Sequence, residues 1–279
     1  MWIDTHTHFD APDFNDSRTQ DWARARSLGV TAQVIPAVAP FNFATVREVA
    51  QAHAGSFYAL GIHPMYVMGV VAQMSREQAI STLRAAIVSS LADERFVAIG
   101  EIGLDGFVPD LDWDTQVWFL REQLKLAREF DLPVLLHVRR AVDPVGKYLR
   151  EFSIQRGIAH AFNGSDVQAD VFVTMGLHLG FGGTLTYERS RQIRRLAARV
   201  PLGSVVIETD APDIPPEWLA EGEPNHSFEL PRMAQVLAEV RGMSEVDLAQ
   251  ALWRNSLNAL PRMRAVLGAV FPEQSAVEA

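Results

Sequence analysis

A chain of 279 residues can bury a sizeable core as one large α/β domain or two ordinary ones, and 48% hydrophobic with 21% charged residues reads as soluble and globular. It has no cysteine, which excludes disulfides and thiolate metal sites, so any metal must be held by His, Asp and Glu. The net charge of −9 argues against a surface coated in nucleic-acid-binding charge, and a cytoplasmic address is the default expectation, because the N-terminus shows no basic-then-apolar segment and no apolar run approaches the roughly 20 residues that span a bilayer.

The chain opens on WIDTHTHF, a strand-like run carrying His6 and His8. Side chains alternate along extended backbone, so residues two apart point the same way, which suits two ligands of one metal ion and equally a bland polar strand end. VTAQVIPAV reads as the second strand, FYALGIHP as the third, ending at His63, and FVAIGEIGLD as the fourth, carrying Glu101. Between the third and fourth, Ser75 is expected to cap a helix with Ile80, Leu83 and Ile87 on one face and Leu91 continuing it. A second clear helical period runs from Asp114 to Phe130, where Val117, Leu120, Leu124 and Ala127 share a face. PVLLHVRR then brings His137 and the Arg139–Arg140 pair, and the short GIAHAF brings His160. HLGFGGT is the seventh strand; the stretch YERSRQIRRLAARV, with Arg189, Arg191, Arg194, Arg195 and Arg199, is expected to be a solvated outer helix face rather than a basic patch. SVVIETDAP is the eighth strand, with Asp210, and the irregular segment 210–227 is expected to be a loop over the active-site face.

Eight strands alternating with helices, with no linker dividing them, predict a single (β/α)8 TIM-type barrel over residues 1–271, with 272–279 as a frayed tail. Chemistry in such a barrel sits at the C-terminal ends of the strands. Six strands deliver a metal-ligand type there: His6 and His8, His63, Glu101, His137, His160 and Asp210. A scatter of structural histidines would not respect that position. Glu101 lies in a strongly apolar strand, where an unpaired carboxylate is costly, so a cation partner is expected. His63 fits a supporting or substrate contact as well as a ligand; His53 and His178 read as structural, and His226 stays open.

Four histidines and two carboxylates exceed what one four-coordinate ion needs if water is to keep a position. Two divalent ions are therefore expected, Zn, Mn or Mg, with His6, His8 and Asp210 on the first, His137 and His160 on the second, and Glu101 bridging both. Asp210 is the expected general base, with Glu101 the second catalytic carboxylate. Asp4 and Glu208, by alternation, would support neighbouring ligands.

The motifs DTHTH, GIHP, GEIGLD, PVLLHVRR, HAFNGS, GGTLTY and ETDAP stand in the order and spacing of the TatD-type metal-dependent deoxyribonucleases of the amidohydrolase-like barrels, and the chain resembles that family over almost its whole length. The resemblance implies a hydrolase of DNA phosphodiester bonds, a 3′→5′ exonuclease preferring single strands, with divalent ions at His6, His8, Glu101, His137, His160 and Asp210. DNA is then the expected partner, with no membrane and a monomer as default. Substrate contacts are expected from His63, Arg139, Arg140 and Asn225. Three positions depart from the family pattern: Thr7 stands where Cys is frequent, GFVPDLDW follows GEIGLD in place of an aromatic pair or Tyr-Arg, and Pro224-Asn225-His226 replaces an Arg-Asn pair, removing a phosphate-binding arginine.

The enzymatic rival on the same barrel is an amidohydrolase or phosphotriesterase-like enzyme cleaving a small amide, lactone or ester. Many of those bridge their metals with a carboxylated lysine on the fourth strand; here the fourth strand offers Glu101, and the only lysines are Lys125 and Lys147. A noncatalytic metal-binding protein is disfavoured by the complete set of ligand and base positions.

Overall fold

Eight apolar, β-branched segments form parallel strands: β1 (Trp2–Asp4), β2 (Val30–Pro36), β3 (Ser56–Leu60), β4 (Phe96–Asp105), β5 (Val134–Arg139), β6 (Gly157–Ala159), β7 (Leu177–Phe181) and β8 (Val205–Ile207). The computed structural model describes residues 1–268. Each strand pairs with the next in sequence order. The seam between β8 and β1 is closed by Thr5 N donating to Ile207 O at 3.2 Å and Asp210 N donating to His6 O at 2.9 Å. The result is the expected (β/α)8 barrel.

The helices between the strands are α1 (Arg18–Ser27), α2 (Phe43–Ala52), α3 (Val67–Val71), α4 (Arg76–Ser90), α5 (Trp113–Glu129), α6 (Val142–Glu151), α7 (Asp166–Thr174) and α8 (Arg191–Arg199); α9 (Leu230–Arg241), α10 (Glu245–Ala259) and α11 (Arg264–Leu267) follow β8. Ser75 caps α4 as its sequence predicts: its Oγ accepts from Gln78 N at 3.1 Å, and Gln78 Oε1 accepts from Ser75 N at 3.0 Å. The face of α5 that carries Leu120, Leu124 and Ala127 is buried.

Alternate strand residues face inward. Ile3, Val34, Phe57, Val97, Leu135, Ile158 and Val206 form an inner cluster with Leu257, Leu260 and Met263 of the C-terminal segment. Arg262 locks that segment against the start of β4, donating to Phe96 O at 2.6 Å, Leu91 O at 2.8 Å and Asp93 O at 3.0 Å. One mouth of the barrel is thereby filled with apolar side chains, and polar groups gather at the other.

Strands β1 and β8 are shorter than their sequence runs. His6, His8 and Asp210 lie just beyond them, because near the seam the backbone bonds its neighbours out of ladder register: Thr7 N donates to Val34 O at 3.0 Å and His8 N to Ala211 O at 2.7 Å. The arginine-rich α8 turns toward α7, where Arg195 pairs with Asp166 at 3.2 Å and Arg199 with Asp170 at 2.6 Å. Those cations are engaged on the outside of the barrel. Residues 272–279, expected to fray, lie outside the described residues, among which no helix is long and apolar enough to cross a membrane.

Candidate metal centre

Glu101 stands at the centre of the polar mouth, 1% exposed. Its two oxygens face different histidines. Oε2 lies 3.1 Å from His6 Nε2 and 3.5 Å from His8 Nε2; Oε1 lies 3.0 Å from His160 Nε2, 3.2 Å from His137 Nδ1 and 3.1 Å from His63 Nε2. Asp210 Oδ1 approaches the first pair, 3.5 Å from His6 Nε2 and 3.6 Å from His8 Nε2. The division matches the sequence partition, His6, His8 and Asp210 on one side of the carboxylate and His137 and His160 on the other.

The donor set fits divalent cations. His6 Nδ1, His160 Nδ1 and Asp210 Oδ1 are buried without a hydrogen-bond partner, and three overlapping groups, His6–His8–Glu101, His6–His160–Asp210 and His63–Glu101–His137, each bring their ligand atoms within 4.8 Å of one another. The second group cuts across the division made by the Glu101 oxygens. We favour the division, because it uses both oxygens of the Glu101 carboxylate.

His63 belongs to the third group by distance only. The Met65 backbone amide donates to its Nδ1 at 3.1 Å, so Nδ1 is unprotonated and Nε2 carries the proton. His63 therefore stands as a donor to Glu101 and offers no lone pair on that side. His137 has the opposite tautomer. Its Nε2 lies 3.0 Å from Asp105 Oδ2, while Asp105 Oδ1 accepts from Phe107 N at 2.7 Å and Val108 N at 2.9 Å. With Nε2–H given to Asp105, Nδ1 is the ring atom left facing the centre, 3.2 Å from Glu101 Oε1. Against the cost of burial, His137 and the Val108 and Phe107 amides hold the Asp105 carboxyl well below the usual carboxylate range. Asp105 is a candidate supporting residue that sequence reasoning missed, although its signal was present as the last letter of GEIGLD.

Replacing Asp105 by Asn should weaken divalent-ion binding about 10–100-fold, the usual cost of losing the carboxylate behind a metal-binding histidine. Calorimetric titration of stripped protein checks this; unchanged affinity would mean that something else orients His137.

Glu208 supports the other side. It lies 3.8 Å from His160 Nδ1, accepts a hydrogen bond from the Ala161 amide, and its pKa is pushed by burial up to about 8. The carboxyl occupies the space where a side chain at position 180 would begin: a Cβ on Gly180 would fall 2.2 Å from Glu208 Oε2. Asp4 meets the candidate ligand His6 through the His6 backbone amide, which donates to Asp4 Oδ1 at 3.4 Å. It accepts from Thr209 N at 3.0 Å, Thr209 Oγ1 at 2.7 Å and Ser227 Oγ at 2.8 Å, and so ties β1 to the segments on either side of the long loop.

Burial and the neighbouring His160 press the His6 pKa down to about 3, and burial takes His63 down to about 4. Burial also opposes charge on His160, but Glu101, Asp210 and Glu208 outweigh it and carry its pKa up to about 10. Cation binding on the His160 side must therefore displace a proton.

Of the expected substrate contacts, Arg139 and Arg140 are exposed at the end of β5, with guanidinium carbons 3.8 and 4.6 Å from the Phe107 ring centroid. Asn225 is different: it is fully buried. Its Nδ2 donates to Thr209 O at 2.8 Å, Asp213 O at 3.0 Å and Ile214 O at 3.2 Å, and Oδ1 accepts from His226 N. It is a clamp on the loop 210–227, with its polar groups consumed, and the expectation of a substrate contact is corrected accordingly. His226 also anchors the loop, its Nδ1 3.5 Å from Asp21 Oδ2 and its ring stacked 4.4 Å from Phe228. His53 is structural, its Nδ1 2.8 Å from Val49 O. Lys125 and Lys147 lie in α5 and α6, outside β4, so the fourth strand brings the carboxylates Glu101 and Asp105, and no lysine, to the centre.

Residues 3–261 match the family model described as TatD related DNase. An Escherichia coli (strain K12) relative named "Uncharacterized metal-dependent hydrolase YjjV" is 40% identical over 91% of this chain and 96% of its own length. The crystal structure of YjjV, described as a TatD homologue, superposes with a TM-score of 0.86 at 39% identity, covering 93% of this chain and 98% of that one. A Pantoea protein named "3'-5' ssDNA/RNA exonuclease TatD" is 30% identical over 91% of this chain and 92% of its own.

Proposed function

The chain belongs to the TatD-related DNase family, and we propose that it is a divalent-metal-dependent hydrolase that shortens single-stranded DNA from its 3′ end. The observation that carries this reading is the buried Glu101 carboxylate, each of whose oxygens faces its own set of histidines, with Asp210 completing the first set. Such a centre suits two cations. When bound, divalent ions there would acidify water and neutralise charge building on the phosphoryl oxygens.

The chain's own groups then have distinct tasks. His6, His8, Glu101, His137, His160 and Asp210 hold the ions, Asp105 orients His137 through a hydrogen bond, and Glu208 stands 3.8 Å from His160 as a nearby counter-charge. Asp210, whose pKa burial raises, accepts the proton of the attacking water. Water attacks phosphorus, the P–O3′ bond breaks, and the freed O3′ takes a proton from solvent. Arg139 and Arg140, exposed at the rim, neutralise strand phosphates.

Arg139→Ala and Arg140→Ala should each weaken oligonucleotide binding and reduce the slope of log K against log salt by about 0.7, the value for one phosphate contact on a single strand. Equal affinity and slope would remove the pair from the strand's path. The proposal itself is tested by comparing kcat/KM of metal-loaded protein on a single-stranded oligonucleotide with that on small amide, lactone and phosphotriester substrates. Preference for the oligonucleotide supports it, and preference for a small substrate would transfer the same centre to the rival amidohydrolase-like chemistry.

A further inference from the structure

Two rim loops expose aromatic rings that the barrel itself does not use. Phe41, in the turn Pro40–Asn42 after β2, is 69% exposed, and Tyr66, in the turn Pro64–Tyr66 after β3, is 42% exposed. Their ring centroids lie 5.9 Å apart with the planes inclined by 49°. Large apolar groups left together at a catalytic mouth mark a binding surface. The pair is also connected to the centre: the Tyr66 ring meets the His63 ring edge-on at 6.0 Å, and His63 Nε2 is 3.1 Å from Glu101. Glu101, His63, Tyr66 and Phe41 thus form a line from the reacting centre to the rim.

Neither ring carries a charge, so the ledge offers its aromatic faces to an uncharged ring rather than to a phosphate. Two to three strands further round the barrel, Arg139 and Arg140 present cations about Phe107. A ligand that suits both has a flat uncharged ring on one side and a phosphate on the other. A nucleotide has that form.

We propose that Phe41 and Tyr66 form a stacking subsite for a nucleobase of single-stranded DNA whose phosphates lie toward Arg139 and Arg140. The proposal rests on the nuclease reading and deepens it. It supplies a physical basis for single-strand preference, because only an unpaired, unstacked base offers its face to an aromatic ledge.

The test uses metal-loaded protein and a single-stranded oligonucleotide made resistant to cleavage by phosphorothioate linkages, with the fluorescent base 2-aminopurine at each 3′-terminal position in turn. Wild-type protein should quench the probe at one of these positions. Phe41→Ala and Tyr66→Ala should abolish that quenching and weaken binding by roughly 5- to 150-fold, the loss expected for one base–aromatic stack. Tyr66→Phe should retain both, and an oligonucleotide abasic at the quenched position should bind wild type as weakly as the alanine variants bind the intact probe. If the alanine variants quench and bind like wild type while Arg139→Ala weakens binding, the ledge is not a subsite and the nuclease reading stands. If wild type binds no oligonucleotide, both fall together.

Discussion

Replacing Asp210 by Asn should lower hydrolysis of single-stranded DNA by about 10²–10⁴-fold, the range for removing a positioned general base. The substitution keeps shape and removes only the charge. The backbone at Asp210 is fixed independently of the side chain, since its amide donates to His6 O at 2.9 Å and φ is +58°, a left-handed conformation that Asn tolerates well. The fold should therefore survive. What changes is an oxygen that lies 3.5 Å from His6 Nε2 and 3.6 Å from His8 Nε2 without a hydrogen-bond partner of its own. Single-turnover rates with metal content measured on the same sample check the result. A rate within a few-fold of wild type, at equal metal content, would assign the base to another group.

Glu101→Gln should have the second large effect and a different signature. Because one carboxylate oxygen faces His6 and His8 and the other faces His137 and His160, loss of the charge should lower occupancy on both sides together. Affinity should fall by more than the roughly 10–100-fold expected for an orienting residue such as Asp105, because here the lost group touches the ions themselves. The change also removes the principal counter-charge of His160, so that histidine should titrate lower in the variant. Metal content per chain after dialysis at fixed free metal provides the measurement. One ion retained at full occupancy would show that Glu101 serves a single site.

Much of this centre was legible in the sequence because barrel geometry and sequence position coincide. His6, His8, Glu101, His137, His160 and Asp210 all stand at or just past a strand's C-terminal end, and a parallel barrel brings those ends to one mouth whatever the strand lengths. Even the truncation of β1 did not matter, since the spacing of His6 and His8 turns both rings toward Glu101 Oε2 without a regular ladder. What remained hidden depends on contacts between distant segments. The tautomer of His63 is set by the Met65 amide, a local turn that GIHP does not spell out. Asp105 acquires its role from the bend that aims the Phe107 and Val108 amides at one oxygen and leaves the other for His137.

Asn225 shows the reverse error. A polar residue in a long loop over the active face suggested contact with substrate, yet three carbonyls of the same loop region claim its amide, because the buried turn around Thr209, Asp213 and Ile214 has no other donor supplied to those oxygens by a regular ladder. The arginines of α8, expected from the sequence to be a solvated outer face rather than a basic patch, show what that expectation left out: the acidic residues of α7, some thirty positions earlier, neutralise two of them. Side-chain satisfaction is a property of the folded pairings, and composition alone does not reveal it.

The proposed activity is cleavage of DNA from the 3′ end at the candidate metal centre. Incubation of a 5′-labelled single-stranded oligonucleotide with purified protein and added Mg, Mn or Zn tests it most directly, beside chelator and Asp210→Asn controls. A ladder shortening from the 3′ end, absent in both controls, is the predicted result. Intact oligonucleotide in the presence of protein with confirmed metal occupancy would contradict it.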